Sequence, residues 1–146
     1  MASFLEANKI VLHHPAEAAA TGTITPASGV DLAGFKECTF GVLVGDIGSG
    51  GVPTVTIQQS EDDGDSDAYS DVEGSLVTLA DDDDDSVVKV SVKNPQKRYL
   101  KCLVGRATAN IAVGGIVAVL SGAGKLVVTQ EVPNGVTLFE PDEGTP

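Results

Sequence analysis

Between Phe35 and Ser60 apolar and polar residues alternate with a period of two, broken only by Asp46-Ile47-Gly48-Ser49-Gly50-Gly51. In the first run, Phe35 to Gly45, Cys38, Phe40, Val42 and Val44 alternate with Glu37, Thr39 and Gly41. In the second, Val52 to Ser60, Val55 and Ile57 alternate with Thr54, Thr56 and Gln58. Successive side chains of a strand point to opposite faces, so this pattern buries one face and wets the other. Two such runs, joined by a connection too rich in glycine for regular structure, are expected to form an antiparallel hairpin.

The same alternation recurs along the chain. Strands are expected at Lys9 to His13, around Thr23 to Thr25, and at Ser75 to Ala80, Val87 to Val92, Arg98 to Arg106, Asn110 to Leu120, Lys125 to Gln130 and Val136 to Phe139. Within them Val88, Val90 and Val92 should face inward, as should Leu100, Cys102 and Val104. Asn110 to Leu120 is apolar at both parities. This suits a strand covered on both faces, or one whose second face is held by a partner subunit. Ala16 to Ala20 favours helix but is too short to hold one. With no Trp, 17 Gly and 7 Pro, the core is aliphatic and the turns are many. The expected fold is all-β: one antiparallel β-sandwich or jelly roll over residues 1–146, of about seven to nine strands. Flexible arms are expected at residues 1–21, with Met1 to Ala7 mobile, and at residues 131–146.

Charge is unevenly placed. Twelve of the 21 acids lie between Glu61 and Asp85, a span without Lys or Arg, and the other nine match the nine bases. One acidic edge is therefore expected, repelling nucleic acid and open to cations or a basic partner. Lys89, Lys93, Lys97, Arg98, Lys101 and Arg106 are expected to form a basic stripe on two neighbouring strands. Met1 to Ala7 carries Glu6 where a signal peptide would carry bases. The longest apolar run, Ile111 to Leu120, is broken by Gly114-Gly115 and falls short of the ~20 residues that span a bilayer. The expectation is a protein made in a cytoplasm, with no membrane and no nucleic-acid partner.

The chemical motifs are weak. Asp63, Asp65 and Asp67 have the one-three-five spacing of a calcium loop, but Ala68 and Gly74 stand where Gly and Glu are required. They are the metal candidates, and weak ones. Asp81 to Asp85 must be an exposed turn, since unpaired carboxylates lose too much hydration on burial. Gly122-Ala123-Gly124-Lys125 is no phosphate loop: Val119 and Leu126 replace its first glycine and its Ser or Thr. His13 and His14 are adjacent, so on a strand they point to opposite faces and cannot share a metal. Cys38 and Cys102 fall at inward positions and are expected as buried free thiols. No catalytic residues and no cofactor are expected.

Three stretches carry a resemblance. They are Val30-Asp31-Leu32-Ala33-Gly34-Phe35 running into Thr39 to Gly45, then Val55-Thr56-Ile57-Gln58-Gln59-Ser60-Glu61-Asp62-Asp63-Gly64, then Lys97-Arg98-Tyr99-Leu100-Lys101-Cys102 followed by the Ile111 to Leu120 run. In this order they resemble small structural proteins of tailed bacteriophages, of the capsid decoration or cement type. The resemblance covers roughly residues 30–122; the acidic insertions at Asp62 to Asp71 and Asp81 to Asp85 depart from it. It implies a virion protein on the outer capsid surface that bridges neighbouring major capsid protein subunits and self-associates as a dimer or trimer. The alternatives are a head–tail connector or tail accessory protein of the same virion, and a calcium-dependent carbohydrate-binding β-sandwich. The absence of Trp argues against sugar stacking.

Overall fold

A computed structural model of the chain describes residues 2–131, 135, 137, 143 and 144. It contains one helical turn, α1 (Phe4–Ala7), and ten strands: β1 (Lys9–His14), β2 (Glu17–Ala20), β3 (Val30–Asp31), β4 (Glu37–Ile47), β5 (Val52–Ser60), β6 (Ser70–Asp71), β7 (Val77–Thr78), β8 (Ser86–Lys93), β9 (Tyr99–Ala107) and β10 (Ile111–Ser121). They form two antiparallel sheets. In the first the order is β1-β10-β4-β8, with β2 following β1 along the same edge of β10. In the second it is β3-β9-β5-β6, with β7 sharing the β5 edge. Counting β1/β2 and β6/β7 as one position each, this is the strand order of an eight-stranded jelly roll.

That order corrects the expected hairpin. β4 pairs with β10 on one edge and β8 on the other, whereas β5 pairs with β9 and the two short strands. The two alternating runs face each other across the core instead of lying side by side. The loop between them makes the crossing. Gly51 N–H closes a tight turn on the Gly48 carbonyl (2.8 Å), and Gly50 between them has φ +78°, a conformation natural only to glycine. The inward faces then meet. Phe40, Val42, Val55, Ile57, Leu100, Val104, Ile116 and Leu120 are fully buried, each contributing roughly 1.5–3 kcal/mol by leaving water.

β10 is apolar at both parities for a local reason. Ile111 and Val113 are buried at its start, then Ile116, Ala118 and Leu120 at its end. The parity switches where the register to β4 slips, between Val113 and Gly115. Gly115, at φ +132°, is the residue that lets the chain bulge. After the bulge Val117 and Val119 point away from the core.

Other expectations need correction. Residues 9–20 are not an arm, because β1 and β2 are edge strands of the first sheet. Ala16 to Ala20, expected to be too short to hold a helix, lies mostly within β2. Phe4–Ala7 is helical, closed by a capping box between Ser3 and Glu6. Lys125 to Gln130 is not a strand. Gln130 instead serves as a clip, donating to the Leu5 and Asn8 carbonyls and accepting from Ile10 N–H. Val136 to Phe139, and most of the expected tail at 131–146, lie outside the described residues.

Cys38 and Cys102 are free and fully buried. Burial pushes both thiols up to about 12, with Cys102 and Glu37 adding to the effect at Cys38. The thiolate is the reactive species, and near pH 8 it makes up roughly one part in ten thousand of such a thiol. Ellman's reagent is therefore expected to titrate neither cysteine in the native protein and both after denaturation. Rapid modification of the folded chain would contradict this burial.

Candidate functional site

The acidic segment does not form one edge. Ser86 pairs with Val44 and Lys93 with Glu37, so β8 runs from the far end of β4 back to its beginning. Asp81 to Asp85 thus lies beside Asp46 at one end of the sandwich, with Asp85 N–H on the Gly45 carbonyl. Ser60 pairs with Tyr99, which puts Glu61 to Asp67 at the opposite end. The two acidic loops are poles, separated by the length of the sheets.

The loop after β5 is built around Ser60, whose side chain is fully buried. Its hydroxyl donates to the Asp67 carbonyl (2.6 Å) and accepts from Gly64 N–H (2.8 Å). The carboxylates nearby are already engaged. Asp62 accepts from Ser66 and Asp67 N–H, Asp63 from Gly29 N–H and the Tyr69 hydroxyl, and Asp67 from Glu61 N–H and Lys97 Nζ (2.6 Å). Lys101 sits over the Tyr69 ring at 4.2 Å. The Asp62 and Asp67 carboxyls are held below their ordinary range, Asp62 by backbone N–H donors and Asp67 mainly by Lys97. Of the metal candidates, Asp63 and Asp67 are turned to different partners. Among the described residues, the three carboxylates that converge are Asp46, Asp84 and Asp85, with ligand atoms within 4.8 Å of one another.

Asp81 to Asp85 is the exposed turn expected. Asp81 accepts from Gly50 N–H and Asp83 from Ala80 N–H, so two of the five carboxylates cap loop backbone.

The basic residues do not make one stripe, because β8 and β9 belong to different sheets. Lys89 and Lys93 face outward from the first sheet. Arg98 forms a two-pronged pair with Asp31, both contacts at 2.8 Å. The guanidinium holds the Asp31 carboxyl below its usual range, and the carboxylate raises Arg98 in turn. Arg106 donates to the carbonyls of Ala18, Thr21, Gly22 and Ile111, tying the β2–β3 connection to β10.

Both edges of the second sheet are broken at one row. β3 covers Leu100 and an isolated bridge from Ile24 covers Val104, leaving Cys102 N–H between them without a strand. His13 reaches across from β1 and accepts that proton on Nε2 at 3.1 Å. Ile57 is the β5 residue paired with Cys102, and its outer edge falls between β6 and β7. There Ser75 accepts from Ile57 N–H (3.1 Å) and returns its hydroxyl to the Ile57 carbonyl. Side chains thus complete a ladder that the chain leaves open, as burial of backbone groups requires. His14 has a separate partner, Glu17, at 2.9 Å. Sequence reasoning missed both plugs, since neither is signalled by periodicity.

The outer face of the first sheet includes the second apolar parity of β10, which was expected to be covered or held by a partner subunit. Ile10 lies beside Val119, Leu12 beside Val117, and Leu43 beside Val87. Leu12 is 61% exposed, Val87 47%, Leu43 41% and Ile10 40%. Gly41 leaves the centre of this face flat between Val117 and Lys89. Contiguous apolar surface of this kind marks an interaction site more often than single exposed residues do. The sequence signal was the both-parity pattern of β10.

No helix among the described residues is long and apolar enough to cross a membrane. No protein-family model matches the chain, and no curated protein matches its sequence. Among solved structures the chain is similar to the PBSX exported protein XepA, with a TM-score of 0.56 and 16% identity over 96% of this chain and 46% of that one. The chain therefore spans about half the length of that protein, and the likeness is one of fold.

Proposed function

We propose that this chain is a non-catalytic structural protein of a tailed-bacteriophage virion that decorates the outer capsid surface and bridges neighbouring major capsid protein subunits. The observation that carries the reading is where the resembling stretches meet. Asp31 of the first pairs with Arg98 of the third, and Ser60 and Gly64 of the second shape the loop that Lys97 of the third clamps through Asp67. Three short motifs, far apart in the chain, make one clasp at one end of the jelly roll. The fold likeness to XepA, a phage-related protein, supports the same setting. The carbohydrate-binding reading is weakened by the engagement of Tyr69 with Lys101 and of Tyr99 with Arg98.

On this reading many weakly bound copies act together, each spanning capsid subunits, so that avidity supplies the stabilisation. Cryo-electron microscopy of virions, with quantitative mass spectrometry of their proteins, tests it. The expected result is density on the outer shell and a copy number in fixed ratio to the major capsid protein. Localisation to the neck or tail, or absence from particles, would overturn it.

A further inference from the structure

We infer that the outer face of the β1-β10-β4-β8 sheet is a self-association surface that takes a second copy of the chain, face to face, with the strands of the two copies antiparallel. The inference rests on the virion reading above, whose underlying resemblance implies self-association as a dimer or trimer, and adds the surface and the symmetry.

A band running across the face from β1 to β8 supplies the apolar contact. Ile10, Leu12, Leu43 and Val87 are its exposed residues, Val117 and Val119 lie between them, and Gly41 raises no side chain that would hold a second sheet away. The rim decides the occupant. Asp46, Asp84 and Asp85 stand where β8 begins, and Lys89 and Lys93 follow along that strand, Lys93 at its other end. A two-fold axis along the strands would carry β8 of one copy over the β1/β2 edge of the other, where its acidic corner meets no lysine of β8. A two-fold axis in the interface but across the strands keeps β8 over β8 and reverses its direction. It lays the acidic corner of each copy on Lys93 of the other, twice by symmetry, with Glu37 beside Lys93 and the two Lys89 side chains close to the axis. The surface is thus complementary to itself in the second orientation.

The area is adequate. Four strands ~4.8 Å apart and about eight residues long at ~3.3 Å each give roughly 500 Å² per copy and about 1,000 Å² in total. That is near the lower limit for specific association, which suits a dimer that is weak by itself.

Analytical ultracentrifugation of the full chain over a concentration series tests this, with circular dichroism to verify folding of each variant. A reversible dimer is expected. Leu12→Glu should weaken it roughly a hundredfold, since it places two charges in the apolar band. Lys93→Glu and Asp84→Lys should each weaken it roughly tenfold, and the double variant Lys93→Glu/Asp84→Lys should restore it. A chain that stays monomeric at millimolar concentration overturns the inference. So does a dimer indifferent to Leu12→Glu, or a double charge variant no tighter than the singles. A dimer in solution that is missing from virions would end the capsid role and leave this surface standing; a monomeric virion protein would do the reverse.

Discussion

Lowering the pH from 6.5 to 4 is expected to remove on the order of 3 kcal/mol of stability through His13 alone, at about 1.4 kcal/mol for each tenfold change in proton affinity. Its imidazole must be neutral to accept the Cys102 proton on Nε2. Burial holds the ring uncharged, assisted by His14 and Lys101 and opposed by Asp63, and lowers its pKa from 6.5 to about 4. The unfolded chain therefore binds a proton that the folded chain refuses throughout this window, and acid favours unfolding there. The contribution is complete above pH 6.5 and is lost as pH falls through about 4. The lowered carboxylates Asp31, Asp62 and Asp67 act below this window, because their ordinary value is 3.8. Urea unfolding at half-unit steps of pH measures the slope. His13→Gln, which keeps an acceptor and has no proton to gain, should flatten it. A wild-type curve already flat between pH 6.5 and 4 would refute the role given to His13.

Ser60→Ala is expected to cost about 2 kcal/mol, because it leaves Gly64 N–H and the Asp67 carbonyl short of a partner inside a closed loop. In a chain of this length that lowers Tm by about 6 °C. The damage should be local, with backbone amides of residues 61–69 exchanging faster while those of β4 and β10 keep their protection. Ser66→Ala, at an exposed position of the same loop, should change stability by less than about 0.5 kcal/mol. Equal effects at the two serines would refute the hub assigned to Ser60.

Strand positions were legible because each depends on a local pattern. Phe40 and Val42 or Leu100 and Cys102 announce an inward face whatever lies beside them. Pairing was not legible for the same reason. An amphipathic strand such as β5 satisfies its pattern whether it lies beside β4 or across from it, and only closure of both sheets selects the second. The short strand β6 was hidden because two residues carry no period, and the strand expected at Ser75 to Ala80 is only the two residues of β7. In β10 the bulge at Gly115 moved the inward face by one residue, while Val117 and Val119 carry the apolar pattern onto the outer face. Lys125 to Gln130 alternates like a strand but is held by the side chain of Gln130 rather than by a ladder. Of the residues that carry the resemblance, Asp31 and Arg98 are occupied with each other, and Ser60 and Lys97 both with Asp67. The face that is free for a partner carries almost none of them, since an exposed Leu12 or Val87 has no signature until the register beside it is known.

The central place of β10 also governs when the fold can exist. β1, β2 and β4 all take their pairing from it, so the first sheet has no middle until residues 111–121 have left the ribosome. Meanwhile β5 has only the two-residue strands β6 and β7 to pair with locally, because the main strands β4, β5, β8, β9 and β10 alternate between the two sheets. Non-local pairing of this kind is slow and leaves unpaired edges exposed while it waits. The nascent chain must therefore be kept soluble before it has a structure. The acidic segment, complete by Asp85 and without a single base, gives the chain a repulsive charge before β8, β9 and β10 have emerged.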